Sequence, residues 1–177
     1  MHNMDMEAFR ARYPEWLAAT RPLLEAADWK TSFKTYPFVV NADSPWTPFE
    51  KPLSQCRVAV LTTAGLYVPG EQPPFRAKDI EGDWTLRELP QDVPLASLAI
   101  AHDHYDHTRA NADRNCVYPL ERLRELVADG TIGSLAPVHF SISGYCTRPD
   151  LIVERTAPQV VQRLRTMAVD VLLHIPV

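Results

Sequence analysis

The segment AHDHYDHTRANAD, residues 101–113, holds the densest group of side chains that could carry out chemistry. Three histidines and two aspartates lie within the six positions from His102 to His107. Imidazoles and carboxylates at this density can bind a divalent ion such as zinc. The same groups can instead handle protons or a substrate from a hydrogen-bonded active-site loop, or they can form a polar loop with only a structural role. The sequence leaves all three interpretations open.

Four of these residues follow the zinc-binding pattern of the metallo-β-lactamase superfamily: His102, His104, Asp106 and His107. A zinc metallohydrolase that uses them is therefore one hypothesis for function, although a short pattern needs its structural context. A dinuclear site of that kind requires ligands from later strands, where only His139 and His174 remain. If the segment is catalytic without metal, the candidate residues in it are His102, His104 and Asp106.

Two other segments supply candidate site residues. The exit TTAG (62–65) could hold a carboxylate substrate on its backbone amides, with Thr62, Thr63 and Gly65 as binding residues, or it could be a turn with satisfied hydroxyls. The segment SGYC (143–146) offers Cys146 as a catalytic resolving thiol, although a solitary cysteine can equally be a small buried hydrophobe. Two tyrosines are expected to contact the substrate as walls of the pocket: Tyr105 and Tyr145.

The elements that must position these residues begin at Arg57, where short β-branched runs alternate with helical patterns. Four strands are predicted, at 57–63, 95–101, 136–144 and 169–177. Such alternation is typical of an α/β fold, here an open parallel sheet with flanking helices, Rossmann-like or flavodoxin-like. Ligands bind outside the carboxyl ends of such strands. The segments TTAG, HDHYDH and SGYC are therefore predicted to meet at one pocket.

Helices are predicted at 118–129, where Pro119 suits the first turn and Gly130 the end, and at 156–168, where Thr156 and Gln159 have capping-box spacing. The long loop 64–84 is expected to be functional. Residues 5–27 predict two short helices or one broken at its prolines, and residues 28–56 predict no regular structure. The predicted organisation is an N-terminal helical extension and irregular segment, 1–56, followed by an α/β domain, 57–177.

Composition narrows the classes of partner. A net charge of −4 without basic clusters makes nucleic acid an unexpected partner. The apolar runs are far shorter than the roughly 20 residues that span a bilayer, and the charged N-terminus does not resemble a signal peptide, so no membrane partner and a cytoplasmic location are predicted. Three widely spaced cysteines predict reduced thiols.

A longer series of motifs resembles the glycine/betaine/sarcosine/D-proline reductase selenoprotein B family, especially its short members. The resemblance runs from about Arg57 to the last residue, and it lies in the order of four segments: RVAVLTTAGLYVPGEQPPF, GDWTLRELP, RANADRNCVYPLERLRELVADGTIGSLAPVHFSISGY and VDVLLHIPV. The histidine-rich loop, residues 102–107, belongs to that series. Its likeness to a lactamase motif is then a coincidence.

This resemblance implies an oxidoreductase that acts by selenol or thiol chemistry on a small molecule, with a thiol electron donor. In the family, the strand matching VDVLLHIPV continues into a selenocysteine or cysteine followed three positions later by a cysteine. The resemblance thus implies a selenocysteine just beyond Val177, encoded by UGA, and a chain that is incomplete at its C-terminus. We expect the 177-residue form to be inactive as a reductase and to associate, which makes a homo-oligomer an expected state. The rival hypotheses are the zinc metallohydrolase and a non-enzymatic module that binds a small acid.

Overall fold

The computed structural model describes residues 6–41 and 47–177. The chain divides into two compact units, Met1–Phe49 and Glu50–Val177. The boundary between them lies a few residues before the position 56 chosen from the sequence. The part of the irregular segment at residues 42–46 lies outside the described residues.

The first unit is built on one continuous helix, α1 (Met6–Glu25), which includes both Pro14 and Pro22. The expectation of a break at these prolines is wrong. The buried residues recur every three or four positions along α1: Met6, Phe9, Tyr13, Trp16, Thr20 and Leu24. An unbroken apolar stripe of this length compensates for the hydrogen bonds that the prolines remove.

A short helix, α2 (Trp29–Ser32), and a 3-10 turn, Phe33–Thr35, complete the first unit. The Asp28 side chain accepts a hydrogen bond from the Thr31 amide at 3.1 Å and so begins α2. The Trp16 indole donates to the Ser32 carbonyl at 3.0 Å, which ties α2 to α1. The prediction of no regular structure over 28–56 is therefore wrong here, as it is for a second 3-10 turn at Leu53–Gln55.

The second unit contains a sheet centred on β1 (Arg57–Thr62). One edge of β1 pairs in parallel with all of β7 (Val171–Ile175), and the other edge pairs in parallel with β5 (Ser134–Leu135) and then β6 (Val138–Ser141). The outer neighbour of β6 is β3 (Arg87–Pro90), which runs antiparallel. The α/β prediction is confirmed, but the sheet is mixed and not wholly parallel.

The predicted strand at 95–101 does not join this sheet. Residues Leu95–Ser97 form a 3-10 turn, and β4 (Ala99–Ile100) pairs antiparallel with β2 (Leu66–Tyr67) in a separate two-stranded sheet. Leu95 and Leu98 are buried while the two residues between them are exposed. That spacing of three fits a 3-10 turn, whereas a strand would alternate every second residue.

The helices of the second unit cover the two faces of the sheet. They are α3 (Thr108–Ala112), a 3-10 turn (Arg114–Cys116), α4 (Leu120–Ala128), and a continuous segment of α5 (Pro149–Leu151), a π-helical turn (Ile152–Thr156) and α6 (Ala157–Thr166). The predicted helix at 118–129 is confirmed, with Pro119 before it and Gly130 (φ +81°) after it. Val58 and Val60 pack on the α4 side, whereas Ala59 packs on the α6 side.

The predicted capping box at Thr156 is wrong, because the helix already begins at Pro149. The Thr156 hydroxyl donates to the Trp84 carbonyl, and Thr156 makes no capping bond. The π-helical turn ends at Thr156, two residues before Pro158. Proline lacks the N–H that a regular helix would use, and a π turn is a common way of absorbing such a gap.

Candidate functional site

The candidate site begins where β1 ends. Gly65 has a φ of +68°, and a Cβ atom there would lie 2.6 Å from the Ala101 carbonyl oxygen. The Ala101 amide donates to the Gly65 carbonyl at 2.9 Å. Only glycine combines this backbone conformation with so close an approach. The start of the histidine-rich loop is therefore held against the carboxyl end of β1.

His102 is the most enclosed side chain of that loop, with 3% of its surface exposed. Its Nδ1 accepts a hydrogen bond from the His104 amide at 3.1 Å, which places the proton of the neutral ring on Nε2. Burial, together with the nearby His104 and His107, lowers the pKa of His102 to about 4, against a smaller opposing effect of Asp103. The ring is thus neutral at pH 7 and presents an N–H.

Gly144, at the exit from β6, is the point on which His102 and β1 converge. A Cβ atom on Gly144 would lie 3.0 Å from the Nε2 atom of His102 and 3.1 Å from both the carbonyl and the hydroxyl oxygen of Thr63. The end of β7 reaches the same place, because the Thr63 amide donates to Ile175 at 3.1 Å and the Val177 amide donates to the Thr63 hydroxyl at 2.8 Å. The predicted meeting of TTAG, HDHYDH and SGYC is confirmed.

The backbone amides at the β1 exit are already engaged. The Thr63 amide bonds to Ile175, the Ala64 amide donates to the Thr62 hydroxyl at 3.2 Å, and the Gly65 amide donates to Ile142 at 3.0 Å. The Thr62 hydroxyl also donates to the Val117 carbonyl at 2.7 Å. Thr62 and Gly65 therefore organise the turn and do not present groups to a substrate. Of the three residues proposed to bind substrate here, Thr63 has a hydroxyl near His102.

The rest of the histidine-rich loop is held by contacts that also explain its shape. His104 stacks on Tyr145, with ring centroids 3.8 Å apart and an interplanar angle of 19°. The Tyr105 hydroxyl donates to the Ala64 carbonyl at 3.2 Å. The exposed Asp106 accepts bonds from both the amide and the hydroxyl of Thr108, an Asx turn that starts α3 and lowers the Asp106 pKa. Tyr105 and Tyr145 thus pack against His102 and His104, and their role as walls of a pocket stays a prediction, whereas Asp106 faces solvent.

These contacts bear directly on the zinc hypothesis. Within residues 6–41 and 47–177, no group of three or more His, Cys, Asp and Glu side chains is arranged to hold a metal ion. The Nδ1 atom of His102 is occupied by a main-chain N–H, and the Asp106 carboxylate is occupied by Thr108. His107 is near the others but its ring packs edge-on against Tyr105 at 4.5 Å. The donor set does not fit the metallo-β-lactamase pattern.

Cys146 lies beside the site but is not an activated thiol. Burial raises the pKa of Cys146 to about 11, and a bond from the Arg148 amide at 3.4 Å only partly opposes this. The other two free cysteines lie elsewhere: Cys56 is buried and its thiol contacts the Pro52 carbonyl at 3.1 Å, and Cys116 is exposed. A thiolate nucleophile at neutral pH needs a lowered pKa, so Cys146 fits the role of a half-buried packing residue better than that of a resolving thiol.

A buried acidic residue that the sequence reading missed, Asp83, orders the long loop 64–84 next to the site. Burial tends to raise the pKa of Asp83, but bonds from Thr85 and the Arg76 amide outweigh it and the net pKa is lowered. The Tyr145 hydroxyl donates to the Ile80 carbonyl at 2.7 Å, which fastens this loop to the SGYC segment. The only sequence signal was the GDWT turn, where Gly82 (φ +80°) packs against the Tyr145 carbonyl.

Comparisons with known proteins give a consistent result. Residues 24–175 match the family described as glycine/sarcosine/betaine reductase selenoprotein B. The D-proline reductase subunit gamma of Acetoanaerobium sticklandii is 30% identical over 128 residues, which are 72% of this chain and 51% of that protein. The glycine reductase complex component B subunit gamma of Symbiobacterium thermophilum is 31% identical over 111 residues, which are 62% of this chain and 26% of that protein.

A further relative is the sarcosine reductase complex component B subunit beta of Peptoclostridium acidaminophilum, 28% identical over 111 residues, which are 62% of this chain and 25% of that protein. The chain thus spans about half the length of the D-proline relative and about a quarter of the other two. No solved structure gives a significant match. Among the described helices, none combines the length and the apolar character needed to cross a bilayer.

Proposed function

Because the chain belongs to the glycine/sarcosine/betaine reductase selenoprotein B family, we propose that it takes part in the selenol- or thiol-based reduction of a small molecule. The observation that carries the proposal is the convergence of His102, Thr63 and the end of β7 on Gly144. Three strand ends and one loop meet there, at the side of the sheet where α/β proteins bind ligands. A cytoplasmic location stays a prediction from the sequence.

In this proposal, Thr63 and His102 provide polar groups without net charge. His102 is neutral at pH 7, and because its Nδ1 lone pair already accepts the His104 amide, the ring acts as a hydrogen-bond donor through Nε2 and not as a base. Gly144 is exposed on the outer side of this cluster and leaves the approach open. His104 and Tyr145, stacked on each other, form one wall. The arrangement suits a small polar substrate whose reacting atom meets a group supplied from the β7 side.

The reductive step needs a nucleophile of low pKa, which Cys146 does not provide. We propose a selenolate or thiolate of the kind that the family name implies. Reductive cleavage of a carbon–nitrogen bond takes two electrons and two protons, which a pair of thiols supplies as it closes to a disulfide. One proton goes to the carbon and one to the departing nitrogen. The thiol pair is the electron donor of the proposal.

The names of the relatives suggest the substrate class and the setting. They are subunits of D-proline, glycine and sarcosine reductases, and two of the names state that the subunit belongs to a complex. We propose a small amino acid or N-methylated amino acid as substrate, and protein partners or further copies of the chain as the setting for activity.

Thiol consumption tests this proposal. The natural gene is expressed in selenium-supplemented cells, and the purified product is given dithiothreitol with D-proline, glycine, sarcosine or betaine in turn. We expect thiol loss with one of these substrates, abolished by His102→Ala and retained in the matched variant His174→Ala, whose imidazole is exposed. Equal rates with and without each substrate, or equal loss in both variants, would argue for the binding-module alternative.

A further inference from the structure

A cavity lies at the amino ends of β1 and β5, the opposite end of these strands from the candidate site. It has a volume of about 660 Å³ and is lined by residues of α4, of β5 and of the segment that follows β3: Gln91, Asp92, Arg124, Val127, Ser134 and Leu135. Ser134 pairs with Arg57, the first residue of β1. From Arg57 to Thr63 an extended strand advances roughly 20 Å, so this cavity is not part of the candidate site.

Arg124 supplies a cation that has no acidic partner. Its Nη2 atom donates to the main-chain carbonyls of Gln91 and Val93, the latter at 3.2 Å. Its Nε and Nη1 atoms make no hydrogen bond, and its guanidinium makes no ion pair, with any residue that the structure describes. Neither nitrogen is enclosed by the protein. The two carbonyls thus hold the guanidinium in place, while its charge and two of its nitrogens can serve a carboxylate from outside.

Asp92 brings the opposite charge to the same cavity. Its exposed carboxylate forms neither a hydrogen bond nor an ion pair within the described part of the chain, so it is not paired with Arg124. The half-buried side chains of Val127 and Leu135 add apolar surface. Two opposite charges that share a cavity without pairing, next to apolar side chains, complement a molecule that carries both charges and an apolar group.

We propose that this cavity binds a zwitterion of dipeptide size, with Arg124 on its carboxylate, Asp92 on its ammonium group, and its apolar side chains against Val127 and Leu135. The charged ends of a dipeptide are at most about 7 Å apart, so one molecule can engage both residues although they do not pair with each other. The Ser134 hydroxyl, which bonds to no described residue, can serve the peptide group. This second site does not depend on the proposed function.

A ¹H–¹⁵N NMR titration of the 177-residue protein with alanyl-leucine tests the proposal. Two further compounds each lack one charge: N-acetyl-alanyl-leucine has no ammonium group, and alanyl-leucinamide has no carboxylate. We expect saturable shifts at the amides of Asp92, Ser134 and Leu135, with alanyl-leucine binding about tenfold more tightly than either blocked form, because each form loses a charged hydrogen bond. Equal affinity for the three compounds, no saturable binding, or shifts centred on Thr63 and Gly144 would overturn the proposal.

Two variants assign the charges separately. Arg124→Gln should remove the preference for alanyl-leucine over the amide and keep the preference over the N-acetyl form, and Asp92→Asn should do the reverse. The control is Arg122→Gln on the same helix, whose guanidinium pairs with Glu125 at 2.9 Å and which should leave all three affinities unchanged. Variants that keep both preferences, or a control that loses them, would overturn the assignment. If Arg124→Gln does not fold, Asp92→Asn still decides, because the Asp92 carboxylate makes no bond to any described residue.

Discussion

Two buried histidines, His102 and His139, are kept neutral by their surroundings. Each uses Nδ1 to accept a main-chain amide, from His104 in one case and from Val60 in the other, both at 3.1 Å. His139 fills the gap in the ladder between β5 and β6, where Pro137 interrupts the strand. Burial is the main reason that the pKa of each falls to about 4. The two rings are therefore structural acceptors that tolerate protonation poorly.

This arrangement predicts an acid-sensitive stability. A histidine whose pKa is lower folded than unfolded stabilises the protein fully above the unfolded value of 6.5, and the stabilisation is lost as the pH falls toward about 4. Each ring contributes on the order of 3 kcal/mol to this change. Urea unfolding at several pH values should show that the free energy of unfolding falls with pH, and that it falls less steeply in His102→Gln. A pH dependence of the unfolding free energy that is the same in His102→Gln as in the parent protein would contradict the assignment to His102.

Gly144→Ala tests the convergence at the site. The added methyl group would meet the main-chain oxygen of Thr63 and the ring of His102 at about 3 Å, so we expect a destabilisation of about 1–3 kcal/mol. Thermal unfolding measures the loss, and the His102 ring shifts should move with it. Gly70→Ala is the control, because Gly70 has a φ of +84° but open space around it. This variant can destabilise the protein through backbone strain without moving the His102 ring. An unperturbed His102 ring in Gly144→Ala would show that the three groups are not in contact.

The cysteines should differ in reactivity. The raised pKa and partial burial of Cys146 predict slow alkylation near pH 7, with a rate that climbs toward about pH 11. The exposed Cys116 should be alkylated first. Iodoacetamide labelling followed by peptide mass spectrometry measures the alkylation rate at both cysteines. The variants Cys116→Ser and Cys146→Ser identify which labelled peptide belongs to which cysteine. Fast labelling of Cys146 at neutral pH would restore it as a candidate for redox chemistry.

Residue types alone indicated where chemistry could occur but not what each side chain does. The sequence predicted correctly that Thr63, His102 and the SGYC segment meet, because all follow strands or strand-like runs. It could not reveal that the amides of Thr63 and Gly65 are engaged, since their partners Ile175 and Ile142 are distant along the chain. The Asx turn at Asp106 and the bonds of Asp83 to Thr85 and the Arg76 amide are local, and they were missed.

At the scale of elements, the two edges of the sheet differ. The edge strand β3 carries Pro90, and its Glu88 forms a bidentate pair with Arg163 at 2.6 and 2.7 Å. Proline and charged groups on an edge discourage pairing with another chain. The other edge strand, β7, has neither within Val171–Ile175, and Leu172 is 38% exposed. β7 is the edge at which association is expected.

Leu172→Lys should therefore reduce self-association. Sedimentation velocity over a range of concentrations measures it, and the matched variant Val161→Lys places the same charge at an exposed apolar position on α6. We expect the lysine on β7 to shift the distribution toward monomer and the one on α6 to leave it unchanged. A monomeric parent protein, or an equal effect of both variants, would contradict pairing through β7.

Strands and helices with a strong apolar periodicity could be predicted from the sequence, whereas the 3-10 turn and the π-helical turn could not. The runs at 57–63 and 169–177 gave β1 and β7, and α4 followed from Pro119, its apolar face and Gly130. The run at 95–101 has the composition of a strand but the burial spacing of a 3-10 turn, which composition cannot distinguish. Pro158 favoured a helix start near Thr156, whereas the helical segment already begins at Pro149 and reaches α6 through a π-helical turn at Ile152–Thr156.

The whole molecule consists of two compact units, and the second unit contains the mixed sheet at whose edge the candidate site lies. Family membership shows the class of protein, and the binding of a small molecule at the convergence of β1, β6 and β7 is our proposal. The first unit carries an aromatic cluster in which Trp16 and Tyr36 pack edge to face at 4.9 Å. That cluster explains the stability of α1 and α2 and gives the first unit a core of its own.

The most direct test of the central claim is a ¹H–¹⁵N NMR titration of the protein with D-proline, glycine, sarcosine and betaine. We predict saturable shifts for one of them, confined to the amides of Thr63, Gly144, Tyr145 and the histidine-rich loop. The amide of Gly70, which lies in a turn away from these residues, and the amides of α6 should not move. Saturable shifts centred elsewhere, with the Thr63 and Gly144 signals unchanged, would contradict the placement of the site at the convergence of β1, β6 and β7.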